Sequence, residues 1–451
     1  MVVRRRLIFW LIRAYIRKSG RIILFSFFAG LLIFFVILFS SRFLAKIIPI
    51  YKETVTGVVG AYTADNLPPF IVEKVATGLT SVDATGAVKP AIAESWEILD
   101  SGKRYVFHLK KDAYFSDGSK VDSDNLKYNF KDVSIERPDK NTIIFKLREE
   151  YAPFLVTVSR PVFHSSLAGN GEYRIESIKL NGDFVQSITL VNVKDKFDVK
   201  TYIFYPSVEA LKYAYVLGEV STALGLDSLQ FNKISFLDFG NTEVNRTTNY
   251  NKLVTLFYNN NDNILSDKKV RLALSYALPS KYSQGEKAVL PYSPASIYYN
   301  KEIEDKSQNY DHAKLLLSAS SAASAGAQLH ITINTSPKYT ALAEELAKSF
   351  AKIGVITEIK KVDRVPTDYQ IYLADFIVSK DPDQYQLWHS DQVRNITKYK
   401  NLRIDKLLED GRRTIDVGER KMIYWDFQKF LIEDAPASFL FFPYEYDVSR
   451  K

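Results

Sequence analysis

The chain contains no cysteine. That excludes disulfides, thiolate nucleophiles, iron–sulfur clusters, cysteine-built zinc sites and a lipidated N-terminal cysteine. It leaves the compartment open, because an exported protein can do without disulfides. Histidine is scarce too: His108, His164, His312, His330 and His389 are scattered, with no pair at metal-ligand spacing. His108 and His330 lie in strand-like runs and read as packed strand residues. Missing as well are the glycine-rich phosphate loops, the nucleophile elbow G-x-S-x-G and the metalloprotease pattern H-E-x-x-H. No carboxylate pair stands out in an apolar surround that would shift its pKa. The sequence therefore reads as a non-enzyme, with no metal and no cofactor.

Acids are absent from the first fifty residues, which carry Arg4, Arg5, Arg6, Arg13, Arg17, Lys18, Arg21, Arg42 and Lys46. The net charge of +8 thus leaves −1 for the other 401 residues. A near-neutral body has no electrostatic reason to hold a polyanion, so nucleic acid is not an expected partner.

Charge is also missing from residues 22–39 (IILFSFFAGLLIFFVILF), an 18-residue run. At about 1.5 Å per residue such a helix just reaches across a hydrocarbon core of ~30 Å. Seven basic residues precede it and only Arg42 and Lys46 follow closely, which orients the N-terminus to the cytoplasm and the body outside. The expectation is a basic cytoplasmic segment (1–21), an uncleaved single-pass anchor (22–39) and a linker (40–54). The rival is a cleaved signal peptide, whose apolar stretch is shorter, typically about 7–15 residues, and ends in small residues; Arg42-Phe43-Leu44-Ala45-Lys46 does not fit such a site. Arg6, Arg13, Arg17 and Arg21 recur at helical spacing, suited either to a leaflet-bound helix or to a flank that only sets topology.

What is present in excess is aromatic: 14% of the chain, with 28 Tyr and 29 Phe among 451 residues. Tyrosine joins apolar area to a hydroxyl, which suits a binding cleft and equally suits half-buried sheet surface. Helix and strand patterns alternate along the body. Residues 51–65 suggest one strand. Residues 95–100 and 104–110 suggest a hairpin through Asp100-Ser101-Gly102. A helix is expected over 126–132, capped from Asp122-Ser123-Asp124-Asn125. Paired strands over 173–193 turn at Asn181-Gly182-Asp183. Helices are expected over 208–217, 267–278, 340–353, 405–411 and 419–433, and strands over 141–147, 328–335 and 355–362. The low-complexity run 318–327 reads as a flexible connection. The mixture predicts an α/β protein without internal repeats.

Residues 78–130 (GLTSVDATGAVKPAIAESWEILDSGKRYVFHLKKDAYFSDGSKVDSDNLKYNF) carry a specific pattern. Gly78-Leu79, Pro90, Ala93 to Trp96, the 100–102 hairpin, Phe107 to Lys110, Phe115 to Gly118 and Asp124 together resemble the signature region of family 5 extracytoplasmic solute-binding proteins. These are the oligopeptide- and dipeptide-binding components of ABC importers. Further matches follow in order: Ala152-Pro153-Phe154-Leu155, the 169–173 run GNGEY, Gly218-Glu219, the 267–278 run, Asp311 to Leu316, Asp381-Pro382-Asp383, Asn395, Asn401, Asp405 and Asp434-Ala435-Pro436. The resemblance runs from about residue 55 to the end.

It implies a two-lobed periplasmic-binding-protein-like fold of class C type, with a hinge and an extra subdomain on the first lobe. Lobe 1 is expected over 55–253 and 435–451, with the subdomain about 66–165, and lobe 2 over 254–434. The hinge crossings fall near 250–258 and 434–444. The implied partners are a peptide or similar polar solute and ABC permease subunits. The alternative is a tethered sensor or scaffold using the same fold without transport. Ligand-binding candidates are Tyr62, Tyr258, Asn259, Asp375, Val378, Asp381, Asp383, Tyr385, Trp388 and Asn395. In peptide-binding members an acid three residues before the Asp-Pro-Asp-like step holds the peptide's ammonium; here that position is Val378. Asp375 or Asp381 is the nearest substitute, although Asp-Pro-Asp also suits a turn and helix cap. The segments 154–169 and 278–291 are shorter than the family's, so loops lining the cleft are trimmed.

Overall fold

The computed structural model describes residues 2–47, 52–164, 167–321 and 328–451. It divides into two units: one holds the N-terminal helix together with Asp195–Val199, the other Thr54–Lys194 and Lys200–Lys451, the body. Residues 48–51 of the expected linker, and 322–327 of the low-complexity run, lie outside the described residues.

The N-terminal helix, Val2–Ile47, is longer than the expected span. Phe25, Phe28, Leu32 and Phe39 are exposed along it. Among the described residues no single helix is long and apolar enough to cross a membrane. Arg13–Ile22 and Leu24–Ile37, bent by 56° from one another, reach that length and composition together.

A twelve-stranded mixed sheet organises the body. Its second half is built on Lys252–Tyr258, a strand apolar at nearly every position and therefore buried on both faces. Side-chain alternation distributes the run. Val254, Leu256 and Tyr258 enter a core with Lys268–Ala277 and Thr340–Ala351. Leu253 and Phe257 enter a second core with Trp388, Tyr424 and Phe442. The helix Lys268–Ala277 starts where Asp267 accepts a hydrogen bond from the Lys269 amide, and Val208–Leu217 ends at Gly218, held at φ 84°.

A separate four-stranded sheet, Ala93–Leu99, Arg104–Leu109, Thr142–Leu147 and Val133–Asp139, covers a third core around Tyr105, Phe107, Phe145 and Phe154. Its first hairpin turns through Asp100, Ser101 and Gly102, all at positive φ. The helix expected over 126–132 does not form. Asp122 and Asn125 exchange backbone–side-chain hydrogen bonds of 2.9 and 3.1 Å in a closed Asx turn. Beyond it Leu126, Tyr128 and Phe130 alternate inward, a period of two that an extended chain satisfies and a helix cannot.

One strand joins the two halves of the large sheet. Ala437–Arg450 pairs with Lys252–Tyr258 and Gly285–Lys287 through its first half. Through its second half it pairs with Thr242–Thr248 and Thr222–Leu226. The other connection, 249–251, runs beside this change of partners, and the Asn249 amide donates to the Pro443 carbonyl at 2.9 Å. The body thus passes from one half to the other twice, at adjacent points.

Candidate functional site

The segment from Lys380 to Asn395 leaves the strand Ile371–Ile377 and is fixed by its own polar groups. Asp381 Oδ1 accepts from the Asp383 amide at 2.9 Å, and Asp383 Oδ1 from the Tyr385 amide at 3.0 Å. These consecutive Asx turns are local chemistry that Asp-Pro-Asp supplies by itself. The free faces of both carboxylates then meet arginines. Arg420 grips Asp381 with two hydrogen bonds of 2.7 and 2.9 Å, and its Nε donates to the Gly411 carbonyl. Arg412 Nε donates to Asp383 Oδ2 at 2.8 Å. Burial alone would lower the pKa of Arg412, but the Asp383 carboxylate more than offsets it, so the guanidinium is held firmly charged.

The remaining sequence-nominated residues divide by what holds them. Tyr258 is fully buried, shares a 2.8 Å hydrogen bond with Ser438, and burial pushes its phenol up to about 12. Asn259 donates to the Tyr369 carbonyl, Trp388 to Gln384 Oε1, and Asn395 to the Tyr399 carbonyl, all inside the core. In this structure these four serve the scaffold. Asp375 accepts from the Tyr339 hydroxyl at 2.7 Å. Val378 is buried in the second core, and its amide donates to the Asn251 carbonyl beside the crossing. Tyr62 packs on Phe204 at 5.1 Å, against the core around Tyr173 and Ile188. Tyr385 lines an opening together with Arg412, which Asp383 holds by its Nε, and Asn395 lines a separate cavity of about 430 Å³ with Tyr369 and Gln392.

That opening is a cavity of about 570 Å³. One side is the small four-stranded domain, through Phe130, Arg148, Tyr151 and Phe154; the other is Tyr385 and Arg412. The two sides are tied at its rim, where the Ala152 amide donates to the Arg412 carbonyl at 2.7 Å. A second tie lies at the far end of the segment. The Ile297 amide donates to the Thr85 carbonyl at 3.0 Å, and Lys380 reaches the Val82 carbonyl and Glu73. Gly86, at φ 82°, lies so close to the Lys380 carbonyl that an added Cβ would sit 2.7 Å from it. Sequence reasoning missed Arg412, Arg420 and Tyr151. Arg412 and Arg420 lie in or next to runs read only as helices, and Tyr151 directly precedes the matched 152–155 run.

No group of three or more His, Asp or Glu able to hold a metal occurs among the described residues. The arrangement offers hydrogen bonds, charge of both signs and aromatic surface around an open space.

The sequence matches the family described as bacterial extracellular solute-binding proteins, family 5, over residues 87–134 and 130–397. The oligopeptide-binding protein AppA of Bacillus subtilis is 25% identical, over 85% of this chain and 83% of its own length. The probable D,D-dipeptide-binding periplasmic protein DdpA of Escherichia coli is 24% identical, over 78% and 79%. Among solved structures, the ABC transporter substrate-binding protein CtaP of Listeria monocytogenes superposes with a TM-score of 0.73 at 21% identity, covering 88% of this chain and 94% of that one.

Proposed function

From the premise that this chain belongs to the family 5 bacterial extracellular solute-binding proteins, we propose that it is a membrane-anchored member that captures a peptide or similar polar organic solute for an ABC importer. The observation that carries this reading is the double crossing beside the long strand Ala437–Arg450, with ties between the two sides at Ala152–Arg412 and Thr85–Ile297. Two bodies joined at one edge and touching at another can open and close on a solute, and closure dries the contacts it encloses. On this reading the lobes divide where strand partners change, near 248–252 and 443–444. The subdomain is the small sheet and its core.

The anchor rests on the uncharged 22–39 run, its basic flank and the uncovered apolar side chains of the helix Val2–Ile47. On this reading the N-terminus is cytoplasmic and the body extracytoplasmic. Carbonate washing is expected to leave the chain in the membrane fraction; release of a shortened soluble form would contradict the anchor.

Capture is tested by native mass spectrometry of the full chain released from detergent. A bound mass in the peptide range, exchangeable against a tripeptide pool, is expected. A chain that carries and accepts nothing from peptide pools or cell extract would favour the tethered sensor or scaffold.

A further inference from the structure

Resting on the anchored reading, we propose that an apolar patch on the body, made by Tyr213, Val216, Leu217, Ile234 and Leu237, lies in the headgroup region of the membrane that holds the N-terminal helix. The helix Val208–Leu217 already has its buried face: Leu211, Ala214 and Tyr215 enter a core with Phe231, Phe236 and Val448. Tyr213, Val216 and Leu217 recur at i, i+3 and i+4 on the other side, where a surface helix ordinarily carries polar groups. All three are exposed. The segment after the helix extends the same surface. Its hairpin pairs Gln230–Phe231 with Ile234–Ser235 and turns through Asn232 and Lys233, both at positive φ. Lys212 Nζ donates to the Gln230 carbonyl at 2.8 Å and Phe231 packs edge-on against Tyr213, which ties hairpin to helix. Phe231 and Phe236 turn into the core, while Ile234 and Leu237 stay outside. Leu217 and Leu237 stand furthest out, 73% and 69% exposed. Five large apolar side chains on two touching elements form a contiguous patch, not the single exposed residues that any surface carries.

The length of the tether argues for lipid as the occupant. Helical residues 40–47 rise about 12 Å beyond the uncharged run. The chain from Ile47 to Lys52 adds at most about 18 Å. Lys52 is therefore held within about 30 Å of the hydrocarbon. The strand that it begins, Lys52–Val59, runs parallel to Thr222–Leu226. The Ser221 amide donates to the carbonyl of Val55, close to Lys52 in the chain, and Gly218 ends the helix just before Ser221. Leu217 thus sits at the tethered end of the sheet. Charge around it is mixed: Lys233 and Lys451 are exposed, and so are Glu219 and Asp238. The patch meets the bilayer through apolar area and the amphipathic Tyr213 ring, not through net charge, so neutral lipid suffices. From solution so small a patch would bind weakly. The tether makes the encounter intramolecular and raises its occupancy. Helix and patch together then hold the body in one orientation on the membrane instead of letting it swing on its linker.

The test uses single cysteines labelled with bimane in the full chain, reconstituted into phosphatidylcholine vesicles that contain a lipid with a doxyl quencher just below its headgroup. Leu217→Cys and Leu237→Cys report the patch, and Val393→Cys reports an exposed site on the other half of the body. Quenching by the doxyl lipid should be at least twofold at the first two sites and negligible at the third. Adding Val216→Asp and Ile234→Asp, both at exposed positions, to the Leu237→Cys chain should bring its quenching down to the Val393→Cys level. Equal quenching at all three sites in a chain that has entered the vesicles, or quenching that survives the two aspartates, overturns the patch and leaves the anchor standing. Labels shielded from iodide yet untouched by the doxyl lipid would mean that a second copy of the chain covers the patch, which overturns it as well. A chain that does not enter the vesicles contradicts the anchor beneath the assignment, and the assignment with it.

Discussion

Two aspartate–arginine pairs, whose aspartates stand two residues apart along the chain, serve opposite ends. Asp381 and Arg420 are 7% and 6% exposed, and the carboxylate accepts two hydrogen bonds from the guanidinium, whose Nε donates to the Gly411 carbonyl. Asp383 and Arg412 are 11% and 28% exposed and share a single hydrogen bond. Of the five guanidinium N–H groups, four bind protein acceptors in the first pair and one does in the second. A buried pair that spends nearly all its donors fixes the loop, whereas the more exposed one keeps hydrogen-bonding capacity. The same residue types at nearly the same place are thus scaffold or site according to how many of their hydrogen-bonding groups the protein itself consumes.

The largest effect should come from breaking the buried pair. Arg420→Ala leaves the Asp381 carboxylate buried without its partner and should cost about 3–5 kcal/mol in urea denaturation. Replacing both partners, Asp381→Leu with Arg420→Met, should recover most of that. A loss below about 1 kcal/mol for the single change would erase the distinction between the pairs.

Val378→Asp places a carboxylate in the same core with no arginine waiting. A cost of roughly 2–4 kcal/mol is expected for burying it unpaired. Peptides with free N-termini should recover part of that cost, while acetylated ones should not, a contrast that calorimetry measures. In the unaltered chain acetylated peptides should bind at least as well as free ones. Should a tenfold preference for free N-termini already exist there, another acid holds the ammonium.

Arg412→Gln should cost only about 1 kcal/mol of stability, because Asp383 keeps the Tyr385 amide and gains water. A stability loss as large as that of Arg420→Ala would make the second pair scaffold too.

The smallest effect concerns Asp434. Burial alone would raise its pKa, but hydrogen bonds from Tyr399, Lys268 and Asn401 win and hold it below the usual range. A carboxyl depressed in the folded state contributes stability that is present above the unfolded value of about 3.9 and is lost as pH falls through the folded one. The stability gap between the unaltered chain and Asp434→Asn should therefore hold steady from pH 5 to 8 and shrink below pH 4. A gap that widened on acidification would reverse the sign.

Local rules made much of this fold legible. Asn181-Gly182-Asp183 announced a hairpin, observed as Tyr173–Asn181 and Phe184–Asn192 with Gly182 at φ 61°. Asp267 announced a helix start. The same rules misled at 122–130, where cap-like residues close a turn and the side-chain period is two. Asp381 and Asp383 were visible as candidates, but their roles depend on Arg420 and Arg412, brought in by packing of the helices Leu402–Arg413 and Val417–Asp434. Tyr258 and Trp388 looked like cleft aromatics because composition does not tell a core tyrosine from a lining one; burial and the Ser438 and Gln384 partners do.

The absence of cysteine permits a direct measurement of the central claim, that solute closes the two sides on each other. Lys111 on the small domain and Leu402 on the other side are both exposed, so each can be changed to cysteine and spin-labelled in an otherwise unlabelled full chain. Electron–electron resonance should give a longer or broader distance distribution without solute, which narrows and shortens when the free tripeptide pool is added. An unchanged distribution, under conditions where native mass spectrometry shows the pool bound, would contradict the account.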